Sequence, residues 1–386
     1  MTVSQPPTHS VEFDLLCLAV RPKPDLGRAL QILQDGIDFT NLLDAAANHG
    51  VRPQLIRSLA ELSWATVPAE RRSALEFFLR RHSARMLLLS DELGRLAAAF
   101  AHDGIPFAAF KGAALATALY GDLSRREYND IDIIVPEQRM DDAERIITSF
   151  GYHGAQGDRA FRRAFLNSQR QYAFHRVDRE VVIDLHWAFS GAHLPFPLTP
   201  AEVWRDLDPV SIGDCEIPTV SKENLALLLA GHGTKETWRS LSWVCDFAML
   251  LERQPDLDWL AIHRRAKAHG CGNAVLLAGA MANELLETSL PSALRQLIDG
   301  STHVSVLAGR LSRRLREGLP ESEMERNFSD FHLCDRRIDR LKGAIRLAVT
   351  PTSGDYEAMR LPPVLWPAYY VTRPFRLAAK ALAALR

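Results

Sequence analysis

Asp130 and Asp132 interrupt an otherwise apolar run, 131–135, that Pro136 stops. A run of that composition reads as a buried strand. Side chains two apart on a strand share a face, so both carboxylates point the same way, a few ångströms apart. Like charges that close resist burial unless a positive group lies between them. The chain must therefore bring something cationic to this point. A divalent cation held by oxygens, Mg²⁺ or Mn²⁺, meets the need.

The strand sits in a stretch whose pattern differs from what precedes and follows it. Residues 1–100 read as a helical region: Leu42, Ala45, Ala46 and His49 share one helix face, and 77–100 is rich in Leu, Ala and Arg at helical spacing. Between 101 and 220 the signals alternate. A short apolar run at 105–110 leads into Lys111-Gly112 and then into helix formers at 113–120. This spacing predicts strand, tight turn and helix. After the 131–135 strand comes a helix at 140–150, closed by Gly151, then two further strands at 172–175 and 180–187 around Val177-Asp178-Arg179. Residues 221–386 return to helix, with apolar stretches at 225–230, 243–251 and 274–286. The fold class expected is α/β (α+β): a small mixed sheet at 101–220 flanked by helical domains at 1–100 and 221–386.

Within 180–187, Val182, Asp184 and His186 fall on one face and Val181, Ile183 and Leu185 on the other. If this strand lies beside 131–135, Asp130, Asp132 and Asp184 surround one point. Such a triad holds one or two metal ions against the phosphates of a nucleotide and supplies a base for an acceptor hydroxyl, a role suited to Asp184. The Phe110-Lys111-Gly112-Ala113 turn completes the set. Gly112 permits close backbone approach, the following helix start offers free N–H groups, and Lys111 adds a full positive charge.

In this order, Lys111-Gly112, Arg126, Asp130-Ile131-Asp132 and Asp184, followed by His232-Gly233-Thr234-Lys235, Trp238, Trp243, Asp246 and Asp258-Trp259, the chain resembles the uncharacterised nucleotidyltransferases of the polymerase-beta-type superfamily over about 35–285. The resemblance implies a minimal mixed sheet with the metal on two strands and a nucleoside triphosphate at the Gly turn. It assigns Asp130, Asp132 and Asp184 to metal and catalysis, and Lys111, Gly112, Arg126, His232 and Lys235 to the nucleotide. Gly112-Ala113 stands where the wider superfamily has Gly-Ser, so phosphate would be held there by Lys111 and backbone N–H groups.

Other features bound the reading. Lys+Arg 46 against Asp+Glu 47 leaves a net charge of -1, so any polyanion-binding patch must be local. One candidate is the run Arg159, Arg162, Arg163, Arg170, Arg176 and Arg179, a solvated face or a flank for a polyanionic acceptor such as RNA. Five dispersed cysteines read as reduced thiols of a cytoplasmic protein, and 1–10 lacks the pattern of a signal peptide. No apolar run is long enough for a membrane span, so stable membrane insertion is not expected. The basic, amphipathic 373–386 reads as a helix packed on the domain, with contact to an anionic membrane as the lesser reading. Trp187, Trp204, Trp238 and Trp259 read as core, His186 as packing or a partner of the acids, and Asp246 as needing a buried partner such as His232 or Lys235.

The expected function is metal-dependent transfer of a nucleotidyl group from a nucleoside triphosphate to an acceptor hydroxyl: RNA, protein, peptide or small molecule. Two other readings use the same residues. One is phosphoryl transfer, and the other a nucleotide-binding or partner protein that keeps the fold with little or no turnover.

Overall fold

A computed structural model describes residues 11–154, 169–191, 194–319 and 334–384. Of the expected basic flank, Arg159, Arg162 and Arg163 lie outside the described residues, as does the side chain of Arg179.

Seven strands form one mixed sheet: β1 (Ala108–Ala109), β2 (Asp130–Ile134), β3 (His153–Gly154), β4 (Gln171–Arg176), β5 (Val181–His186), β6 (Leu207–Ile212) and β7 (Cys215–Val220), in the order β3-β4-β5-β2-β1-β7-β6. β2 and β5 run parallel, while β1 and β4 lie antiparallel to β2 and β5 respectively. Helices precede the sheet, ending with the long Ala69–His102, and follow it from Lys222–Lys235 onward.

Alternation along β2 divides the molecule. Ile131, Ile133 and Val135 point into one core with Met86, Leu89, Leu93 and Phe100 of the long helix, joined by Ile183 and Leu185 of β5. Ile134 points the other way, into a second core that contains Phe110 and Leu225–Ala230 of the Lys222–Lys235 helix. Asp130 and Asp132 share the Ile134 face, so the acids sit where the sheet meets the later helices. A slip of one residue in β2 would exchange carboxylates for isoleucines on both faces, and the buried isoleucines therefore fix the register.

Three strands go beyond the expected four. β6 and β7 form a hairpin across the two-residue loop Gly213-Asp214, a signal that Pro209 obscures. Pro209 is tolerated because β6 is an edge strand and can do without one N–H. β3 is too short to read from pattern. Conversely, the strand expected at 105–110 narrows to two residues, since Pro106 has no N–H to give. The helix expected at 113–120 starts at Gly112, widens into a π-type turn over Ala116–Tyr120 and ends at Gly121, with φ +68°.

Trp187, Trp238 and Trp259 are buried and Trp204 packs on the core. Cys17, Cys215, Cys245, Cys271 and Cys334 are all free thiols. No helix among the described residues is long and apolar enough to cross a membrane.

Candidate active site

The parallel register sets Asp132 beside Asp184 and Ile134 beside His186, with Asp130 one step before, beside Val182. Each of Asp132, Asp184 and His186 offers a ligand atom, and these atoms all lie within 4.8 Å of one another. His186 is thus closer to the centre than its sequence position suggested: its Nε2 lies 3.1 Å from Asp132 Oδ1 and its ring stands edge-on to Phe110 at 4.9 Å. Gln171, on the opposite side of β5, donates Nε2–H to Asp184 Oδ2 at 3.1 Å. Nothing in the local sequence marked Gln171; it arrives through the β4–β5 pairing alone.

Lys111 and Gly112 close the site from the turn after β1. Lys111 Nζ lies 3.6 Å from Asp132 Oδ1, with its charge 5.5 Å from the Phe110 ring. Gly112 has φ +52°, and a Cβ there would lie 3.2 Å from the backbone oxygen of Asp130 and 3.5 Å from the Tyr128 ring. Gly112→Ala is therefore expected to cost about 1–3 kcal/mol of stability, read as a lowered urea midpoint at unchanged slope. A full-strength fold in that variant would show that the turn relaxes freely.

The charges here are not balanced. Burial, and then the charge of Asp132, push the Asp130 carboxyl up to about 6, with Lys111 offsetting only part. Asp184 is raised for the same two reasons. Burial also penalises the Asp132 charge, but Lys111 and the His186 hydrogen bond outweigh it and hold that carboxyl well below the usual carboxylate range. One firmly ionised acid thus sits between two that resist ionisation, and Asp130 meets no hydrogen-bond donor among the described residues. Among the described residues the group able to hold a metal ion is Asp132, Asp184 and His186; Asp130, on the same face one step earlier along β2, is not part of it. The two carboxylates suit a divalent, oxygen-preferring cation, and His186 also orients Asp132.

A pH dependence follows. Because the folded-state carboxyl of Asp130 is raised from 3.8 to about 6, its ionisation weakens the metal-free fold as pH rises through that window. A divalent cation relieves the crowding only when the acids are ionised. Added Mg²⁺ is expected to raise Tm at pH 7.5 and to lose that effect below about pH 5, with affinity falling roughly tenfold per pH unit below 6. A Mg²⁺ effect independent of pH would contradict the assignment.

The remaining expected residues divide into two groups. His232, half-buried near the end of the Lys222–Lys235 helix, stands edge-on to Trp243 at 5.4 Å. Burial, followed by the positive charges of Lys111 and Lys235, pushes it well below its ordinary value, so it is neutral beside the acids. Lys235 lies 3.8 Å from Glu236 and remains partly exposed. Arg126, in contrast, is turned inward: it donates from Nε and Nη2 to both oxygens of Asp246 at 3.0–3.1 Å, and Tyr120 donates its hydroxyl to the same carboxylate at 2.9 Å. Asp246 does have the buried partner its sequence position called for, but the partners are Arg126 and Tyr120. On the basic flank, Arg176 is held by Asp178 and by the Phe150 carbonyl.

The family model described as uncharacterised nucleotidyltransferase matches residues 35–287. A comparison with curated proteins gave no match. Among solved structures, the antibiotic-resistance factor ANT(2'')-Ia is 17% identical, with 53% of this chain and 88% of that chain covered, at a TM-score of 0.25. An antigenic nucleotidyltransferase-like protein from Paracoccidioides brasiliensis is 16% identical, with 57% and 92% covered, at a TM-score of 0.27.

Proposed function

As the chain belongs to the uncharacterised nucleotidyltransferase family, we propose that it transfers a nucleotidyl group from a nucleoside triphosphate to an acceptor hydroxyl, with Mg²⁺ or Mn²⁺ as cofactor. The observation that supports this reading is the pairing of Asp132 with Asp184 on adjacent parallel strands beside the Lys111-Gly112 turn, with Asp130 one step earlier on the same face. A divalent ion held by these carboxylates would offset the negative charge of the nucleotide phosphates as it builds in the transfer.

The chain's own groups supply the rest. Lys111 and the backbone around Gly112 hold the triphosphate. Asp184, partly exposed and with a raised affinity for protons, accepts the proton of the acceptor hydroxyl. The acceptor oxygen then bonds to the α-phosphorus, the bond from that phosphorus to the bridging oxygen breaks, and pyrophosphate leaves. His186 holds Asp132 in place, and neutral His232 offers a polar wall without adding charge. Arg126 acts through Asp246 to fix the segment that leads into β2.

ATP labelled at the α or the γ phosphate tests the reaction, using a cell extract as the source of acceptors. Label reaching product from the α position supports nucleotidyl transfer, whereas label from the γ position alone assigns phosphoryl transfer. Nucleotide and Mg²⁺ binding by calorimetry without pyrophosphate release would assign the protein as a nucleotide-binding partner instead.

A further inference from the structure

We propose that residues 334–384 form a docking surface for an anionic phospholipid membrane, to which the protein attaches without crossing it. Charge and exposure point the same way. This segment carries nine Lys and Arg against four Asp and Glu, a net charge of +5 in a chain whose total is -1. Nine of the seventeen exposed large apolar side chains among the described residues also belong to it. Elsewhere they are spread over the rest of the described chain, with Leu87 and Leu88 the one adjacent pair.

The two longer helices of the segment place these groups in an order unsuited to water. On Arg337–Val349, Ile338, Leu341 and Ile345 recur at three- and four-residue spacing on one exposed face, while Gly343 is buried on another. On Ala368–Ala384, Phe375 is 74% exposed and Val371 64%, whereas Arg373 is 5% exposed. Arg373 turns inward to bind the buried Asp355 and the Leu347 carbonyl. An ion pair inside and a phenyl ring outside reverse the order that water favours and match the order at a lipid interface.

Beside this apolar face lies a cavity of about 300 Å³ lined by Lys267, His269, Arg336, Lys342 and Arg346, with Asp339. The side chains of Lys267, Arg336, Lys342 and Arg346 have no carboxylate or hydrogen-bond partner among the described residues. Lys342 and Arg346 follow Leu341 and Ile345 directly on the helix, so cations border the apolar stripe. A phosphate head group takes the cavity while the neighbouring apolar side chains enter the acyl boundary, the paired signals that stable peripheral binding needs. A second copy of the chain is the poorer occupant, because symmetric pairing would oppose two surfaces of charge +5.

Flotation of the full-length protein with phosphatidylcholine vesicles, with and without phosphatidylglycerol, tests the proposal. Binding is expected only to the phosphatidylglycerol vesicles. Lys342→Gln with Arg346→Gln should lower the partition on the order of tenfold or more, and Phe375→Asp should lower it comparably, both with unchanged thermal unfolding. Val371→Asp is a second probe of the same face should Phe375→Asp fold poorly. Absence of binding, equal binding to neutral vesicles, or variants that bind like the parent overturns the proposal. So does a dimer in sedimentation that Phe375→Asp dissociates while no vesicle is bound. None of these variants touches the acidic site, so loss of vesicle binding with label transfer intact separates this surface from the nucleotidyl-transfer reading.

Discussion

Asp132→Asn is expected to reduce label transfer on the order of 10³-fold or more while leaving the protein folded. Asn has nearly the same shape and keeps an oxygen that can accept from His186, so the 3.1 Å contact survives. What disappears is the one carboxylate that Lys111 and His186 keep firmly ionised in a buried place, the charge on which a bound cation depends most. Removing it also relieves Asp130 and Asp184, both pushed up in part by Asp132, so their carboxyls should ionise more readily in the variant. The measurements are transfer of α-label, Tm, and the pH at which Mg²⁺ stops stabilising the fold. Unchanged transfer in a folded Asp132→Asn protein would end the proposed mechanism.

Asp246→Ala should destabilise the fold by about 3–5 kcal/mol, the usual consequence of leaving one member of a buried ion pair alone. The Arg126 side chain is 10% exposed and that of Asp246 1%, and no other carboxylate is bonded to Arg126 among the described residues. Tyr120 loses its acceptor at the same time, so an O–H is stranded along with the cation. Replacing both charges, Arg126→Met with Asp246→Leu, should recover much of the loss, because the desolvated charge is then gone as well. Urea unfolding of the single and double variants decides this. A single variant within about 1 kcal/mol of the parent would mean that water reaches Arg126.

How much of this was legible in the chain depends on distance. That Asp130 and Asp132 share a sheet face, and that Asp184 comes to lie beside Asp132, was legible through strand alternation combined with the strand–Gly–helix unit before it, since an Asp-x-Asp alone is common on surface strands. Gly112 was legible for a similar reason, as a Gly between a strand and a helix. The Arg126–Asp246 pair was not: the two lie 120 residues apart, and only the need of Asp246 for a buried partner could be read. His186 was ambiguous because its neighbours in sequence say nothing of the Asp132 oxygen across the strand. The β6–β7 hairpin was hidden by Pro209, whose edge position only the sheet order reveals. At the C-terminal end the basic, amphipathic character of 373–386 was visible, but not that Arg373 turns inward and Phe375 outward.

The parallel pairing of β2 and β5 has a kinetic consequence. Parallel neighbours cannot be joined by a tight turn, so the chain must close a loop of about fifty residues before Asp132 meets Asp184. Contacts of such long range form late, after the local helices and hairpins. During most of folding Asp184 is therefore far from Asp130 and Asp132, and its repulsion with them raises no barrier. A divalent ion, having no assembled site to bind until the end, should leave the refolding rate nearly unchanged and slow unfolding instead, so that the cation acts as a latch on the finished molecule.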